Sequence, residues 1–200
     1  MSFVNQAAFN DPRSYQMAMG VDLRTSSAIT GPTGRVLIHA QTGGMVNPTR
    51  YELQPGAIVL RFGNASARAE GVAKGGWWLE KPEFDKLFAF AQVWDIAIGM
   101  AMRALCLVPP EWSEATLLIR ARVTEPLLAW RGLANSVVTP AATGGPMVRM
   151  PHQNDVSERR LYQLFVPGLA ALPQIMPGLR VEQEYPLEAR ESVRGFIYTV

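Results

Sequence analysis

An uninterrupted apolar run at 57–60 (Ala57, Ile58, Val59, Leu60), stopping on Arg61-Phe62-Gly63, constrains this chain more than any other stretch. Four apolar residues in succession after the Gln54-Pro55-Gly56 turn read as a strand buried in a sheet. A small, polar loop is expected at 64–76, then Trp77-Trp78-Leu79, then a long apolar helix from Pro82. The chain is thus expected to leave a sheet through a loop that two tryptophans close against a core helix. An arginine ending a buried strand and facing a glycine-containing loop suits phosphate or carboxylate, whose geometry its planar fork matches. The same position equally fits the first exposed residue after a core strand.

The helix has a readable start. Pro82 suits a first turn, and Glu83 and Asp85 suit the positive end of the helix dipole. Phe84, Leu87, Phe88, Ala91, Trp94, Ile98 and Met102 recur at three- and four-residue spacing, which predicts one core helix over 82–105 with Trp94 buried. Pro109-Pro110 ends it. The longest apolar segment, 87–108, is interrupted by Gln92, Asp95 and Arg103, so a buried helix is expected and no membrane span.

Composition narrows the classes. A chain of 200 residues with 48% hydrophobic and 18% charged residues is long enough for one globular domain and too apolar for disorder. A formal net charge of +2 gives no electrostatic case for nucleic acid. Cys106 is the one cysteine, so it has no internal disulfide partner and reads as a small core residue. His39 and His152 stand apart, with no metal-ligand spacing. The first residues lack a basic start and a continuous apolar stretch, so no cleaved leader is expected. The protein is expected in the cytoplasm, or delivered to a target cell without one.

Residues 1–34 read as a peripheral arm, with Asn10-Asp11-Pro12 capping a short helix. Strands are expected at 35–40, 115–123, 126–132, 136–140, 162–166 and 195–200. A loose loop is expected at 141–155. No internal repeat and no long linker divides the chain. The architecture is α+β: helices early, a mostly antiparallel sheet later.

No Gly-x-Ser-x-Gly elbow, phosphate loop or dinucleotide glycine motif occurs. What remains is Glu182-Gln183-Glu184 on a late strand. Residues i and i+2 of a strand share a face, so both carboxylates are expected to point into one cleft. Two close carboxylates repel unless something uses or neutralises them. The alternative is an edge strand that wears charge against aggregation.

The order of strand-end arginine, β-prone Ser/Thr segment and Glu-x-Glu resembles the ADP-ribosyltransferase toxin fold. The Leu-Arg-Phe-Gly, Gly-Gly-Trp-Trp-Leu and Ala-Trp-Arg-Gly pieces are similar to those of bacterial effector domains with this fold. The resemblance spans about 57–185. It implies a domain over 35–200 with N-terminal helices around a split sheet and a ligand cleft. It also implies cleavage of NAD and transfer of ADP-ribose to an acceptor, a protein by expectation, with an inhibitor or delivery partner. Carried over, Arg61 would hold the NAD phosphates or the nicotinamide ribose, with Gly63, Trp78 and Ser136 on the cofactor side. Arg131 competes for the arginine role. Glu184 would be the catalytic glutamate and Glu182 would orient the acceptor. The family's Ser-Thr-Ser is replaced by Ser136-Val137-Val138-Thr139, while Thr25-Ser26-Ser27 lies upstream of Arg61. The competing expectation is a non-catalytic interaction or structural module of a phage particle or secretion apparatus, which fits the near-neutral charge and the proline-rich second half.

Overall fold

The structure, a computed structural model, describes residues 2–20, 28–30, 33, 36–39, 41–140, 147–169 and 178–187. The expected strand at 195–200, Thr25-Ser26-Ser27 and the Gly144-Gly145-Pro146 loop lie outside them. The chain begins with helices α1 (Gln6–Asn10) and α2 (Pro12–Ala18), followed by short strands β1 (Ala28–Thr30), β2 (Val36–His39) and β3 (Gln41–Thr42). Strands β4 (Met45–Leu53) and β5 (Ile58–Gly63), helix α3 (Arg68–Ala73) and strand β6 (Trp77–Glu80) come next. Helices α4 (Lys81–Val93) and α5 (Ile98–Cys106) then lead into β7 (Leu117–Val123), β8 (Leu127–Ala134), β9 (Val137–Pro140) and β10 (Met147–Met150). Strands β11 (Tyr162–Phe165) and β12 (Leu179–Pro186) complete the described elements.

Seven strands form one antiparallel sheet in the order β12-β7-β5-β6-β11-β8-β4. The fold is therefore α+β with a mostly antiparallel sheet. Its pairing is uneven. β5 and β7 register over six residue pairs from Ile58↔Arg122 to Gly63↔Leu117. β5 and β6 register only at Val59↔Glu80 and Leu60↔Leu79. Beyond Leu60 the two strands part, and the sheet divides into a β12-β7-β5 half and a β6-β11-β8-β4 half.

Each face of the sheet has its own core, as alternation along antiparallel strands requires. On one, Val59, Trp78, Ile119, Ala121, Ala129 and Leu164 pack with Ala69, Val72 and Ala73 of α3. On the other, Leu79 packs with Leu87 and Ala91 of α4 and Ala101, Met102 and Leu105 of α5. The start of the chain is pinned to β8. Asn5 Nδ2 donates to the Leu128 and Pro167 carbonyls at 2.8 and 3.1 Å, and Asn5 Oδ1 accepts from Leu128 N. Asp11 caps α2 by accepting from Arg13 N at 2.9 Å, as the Asp-Pro pair predicts.

Three expectations need correction. The helix over 82–105 is two helices, bent by 118°. Trp94 closes α4, Asp95 turns at φ 49°, and extended Ala97 starts α5. Trp94 falls at that break and is 58% exposed, so it is not core. The segment 64–76, expected as a polar loop, contains α3, whose Ala69, Val72 and Ala73 are buried. Among the described residues, no single helix is long and apolar enough to cross a membrane.

Candidate functional site

Where β5 and β6 part, a cavity of about 350 Å³ opens. Arg61, Gly63, Trp77, Trp78 and Trp112 line it, with Asn64, Ser113 and Gln163 as its polar neighbours. Arg61 is the first residue past the last β5–β6 pair. Its guanidinium crosses the gap and donates Nη1–H to the Trp77 carbonyl at 2.5 Å. Its Nε is buried and has no hydrogen-bond partner among the described residues. Burial pulls the guanidinium down to about 10, because taking the cation out of water disfavours its charged form.

Two glycines make room for this arrangement. A Cβ on Gly75 would lie 1.9 Å from Arg61 Nη2, and one on Gly63 would lie 2.6 Å from a Val72 methyl. The first lets the loop pass over the guanidinium; the second lets α3 sit on β5. Trp78 Nε1 donates to the Gly75 carbonyl at 2.9 Å and holds that loop in place. Asn64 Oδ1 accepts from Ser113 Oγ and Glu114 N at 3.0 and 2.8 Å, tying the end of β5 to the segment before β7. Arg103, 2% exposed, donates to the Val108 and Ser113 carbonyls from α5 and so fixes the far wall.

No aspartate, glutamate or histidine is among the described lining residues. Cys106 lines the cavity, but burial pushes its thiol up to about 12, so no thiolate nucleophile forms there at neutral pH. Among the described residues no group of three or more His, Cys, Asp or Glu could hold a metal ion.

The Glu-x-Glu segment sits two strands away. Arg61 and Glu184 both register with Ile119, from opposite sides of β7, so the two point to one face of the sheet. Their backbones stand roughly 10 Å apart, two strand spacings. Glu184 is exposed. Helix α3 packs against β5, β7 and β12 on that face. Glu182 does not share it. A register shift between Val181 and Gln183 inserts Glu182 as a bulge, and its carboxylate binds Arg120, Arg122 and Arg180 on the other face. These arginines hold its carboxyl down at about 2, the hydrogen bond from Arg122 contributing most. The expectation that both carboxylates share a cleft is corrected by that one bulge.

Arg131 and Ser136 are not among the residues lining the cavity. Arg131 forms an ion pair with Glu80 at 3.4 Å and donates Nη2–H to Glu83 at 3.2 Å, with its guanidinium 3.9 Å from the Tyr162 ring centroid and 5.3 Å from that of Tyr51. Tyr51 donates to Glu80 at 2.9 Å, and Glu83, 4% exposed, accepts from Lys86 and from Tyr162 N. Burial, then the Glu80 contact, raises the Tyr51 phenol above its ordinary value. Arg131 is thus paired within a local network. Ser136 Oγ accepts from His152 N at 3.2 Å. Sequence reasoning missed Gly75 and the 107–113 wall. Gly75 was visible as half of Gly75-Gly76, but nothing in the sequence says that Arg61 needs its missing Cβ.

No protein-family model and no curated protein matches the chain. Two solved structures are distantly similar. One is Rhs1-CT in complex with its cognate immunity protein RhsI1, at 14% identity over 77% of this chain and 89% of that one, with a TM-score of 0.42. The other is Tne2 in complex with Tni2, at 12% identity over 71% of this chain and 95% of that one, with a TM-score of 0.41. At these scores neither lends a residue role to this chain, and the roles of Arg61 and Glu184 rest on their own geometry.

Proposed function

We propose that the cavity at the parting of β5 and β6 binds NAD through Arg61, and that the chain cleaves it and moves ADP-ribose to an acceptor. The observation that carries this reading is Arg61 itself. A largely buried guanidinium with an unpaired Nε, aimed into a tryptophan-walled cavity, is costly to keep and has donors to spare for an anion. A dinucleotide supplies the pyrophosphate for that fork and flat rings for the indoles.

Cleaving the nicotinamide bond builds positive charge on the ribose, as glycoside hydrolysis does. A fixed carboxylate near the ribose hydroxyls stabilises that charge as it develops. Glu184, on the same sheet face as Arg61, is the proposed source. Glu182, held by three arginines, is better placed to fix the bulge than to orient an acceptor. The acceptor is proposed to be a protein, and an inhibitor or delivery partner is part of the same proposal for a toxin or effector.

One observation favours a second reading, an anion-binding module without catalysis. No carboxylate is among the described lining residues, and α3 packs across the strands that bear Arg61 and Glu184. Titration with NAD, followed by assay of released nicotinamide, separates the two. Binding with release supports the transferase, binding without release supports the module, and no binding removes both.

A further inference from the structure

The bulge that turns Glu182 away from Glu184 builds something on the opposite face of the sheet. Arg120 registers with Leu60 on one side and Gln183 on the other, and Arg122 registers with Ile58 and Arg180. All three arginines therefore project from the side opposite Arg61. Glu182 sits among them, accepting from Arg120 Nη1, from Arg122 Nε at 2.5 Å and from Arg180 Nη2 at 3.4 Å. Arg122 Nη1 also donates to the Gly56 carbonyl at 3.3 Å.

The charge does not balance. Three guanidiniums and one carboxylate leave +2, as much as the formal net charge of the whole chain. Each guanidinium carries five N–H donors, and one carboxylate cannot engage them all. The side chains remain within reach of solvent, at 25, 37 and 66% exposure for Arg120, Arg122 and Arg180. Tyr185 stands beside them, 41% exposed, its hydroxyl donating to Gln183 Oε1 at 2.6 Å.

We propose that Arg120, Arg122 and Arg180 form a second anion site, on the face turned away from Arg61, that takes the phosphate dianion of a phosphorylated ligand. A dianion matches the surplus of two positive charges, and its oxygens can accept from several guanidiniums at once where a carboxylate fills one fork. Glu182 holds the three arginines together while the site is empty, which lowers the cost of ordering them when the anion arrives. The exposed Tyr185 ring gives a base somewhere to stack when the phosphate belongs to a nucleotide.

The test is calorimetric titration with inorganic phosphate and, separately, with ADP, on wild type and on an Arg61→Met background that removes the anion partner of the cavity. Binding should persist in Arg61→Met and weaken as salt rises. Arg180→Ala, at an exposed position, should weaken it about tenfold and Arg122→Ala at least as much, the worth of a charge-assisted hydrogen bond. Equal affinity for the two probes assigns a bare phosphate group; tighter ADP binding assigns a nucleotide and uses Tyr185. Should Arg61→Met fail to fold, wild type against Arg180→Ala separates the two anion sites equally well. No binding of either probe at millimolar concentration, or binding unchanged by both arginine substitutions, overturns the site.

Discussion

Arg61→Met separates the reading of Arg61 as a ligand-binding residue from its reading as a structural one. Folding takes the guanidinium from the ordinary arginine range down to about 10, through burial. Two to three pKa units at about 1.4 kcal/mol each put the cost of keeping that cation at neutral pH at about 3–4 kcal/mol. The hydrogen bond to the Trp77 carbonyl returns about 1.5–3 kcal/mol, the usual worth of a bond from a charged donor. The balance is a residue that costs the fold up to about 2.5 kcal/mol. Methionine keeps an unbranched side chain in the same gap and carries no charge to desolvate. At about 2–4 °C per kcal/mol for a domain of this length, the Tm should rise, by no more than about 10 °C, while NAD binding in the cavity disappears. The pH dependence fixes the sign. A base whose folded-state pKa is lowered destabilises the fold while it stays charged, and that cost fades as pH climbs from the folded-state pKa toward the ordinary one, so the Tm difference should narrow as pH rises above about 10. Calorimetric melting of both proteins from pH 7 upward is the assay. A Tm drop of more than about 6 °C, or a difference indifferent to pH, would show that the Trp77 contact outweighs desolvation and that Arg61 belongs to the scaffold.

Glu184→Gln should slow nicotinamide release by about 10²–10³ while leaving NAD affinity and melting nearly unchanged, because the charge it opposes exists only in the transition state; equal rates in the two proteins would remove Glu184 from the chemistry. Leu87→Ala, fully buried on α4, should cost about 2–5 kcal/mol. Trp94→Ala, at the exposed break, should cost well under about 1 kcal/mol; denaturant titration that ranks the two the other way would reverse the assignment of that break. On acidification, the Glu182 ion pairs stabilise the fold above the ordinary glutamate pKa and are lost only as pH falls toward about 2. Glu182→Gln should therefore match wild type near pH 2 and fall below it from about pH 5 upward, read by thermal melting across that range.

Much of the fold was legible because it follows from local pattern. The strand before Arg61, the Asp-Pro start of α2 and the apolar spacing of α4 each state their element in a few residues. What escaped depends on backbone detail that a two- or three-to-four-residue period does not encode. Asp95 adopts φ 49°, and that single torsion turns a continuous apolar helix into two and carries Trp94 to the surface. The short α3 hides in Arg68-Ala69-Glu70-Gly71-Val72-Ala73, a stretch whose small and charged residues read as loop. One inserted residue at Glu182 defeats the i, i+2 rule that paired it with Glu184. The Arg131 network draws Tyr51, Glu80, Glu83 and Tyr162 from separate places in the chain, and only tertiary folding brings them together.

The seam between β5 and β6 has a mechanical meaning. Any other pair of neighbours within the three-stranded half must give up six or seven registered pairs to slide, and β8 holds β4 just as firmly. The seam holds by two. β6 holds β11 by two as well, so β6 is the lightly paired strand of this sheet, and any shift of it against β5 widens or narrows the gap that Arg61 crosses. The width of the cavity therefore follows the position of β6, which two registered pairs on each side fix.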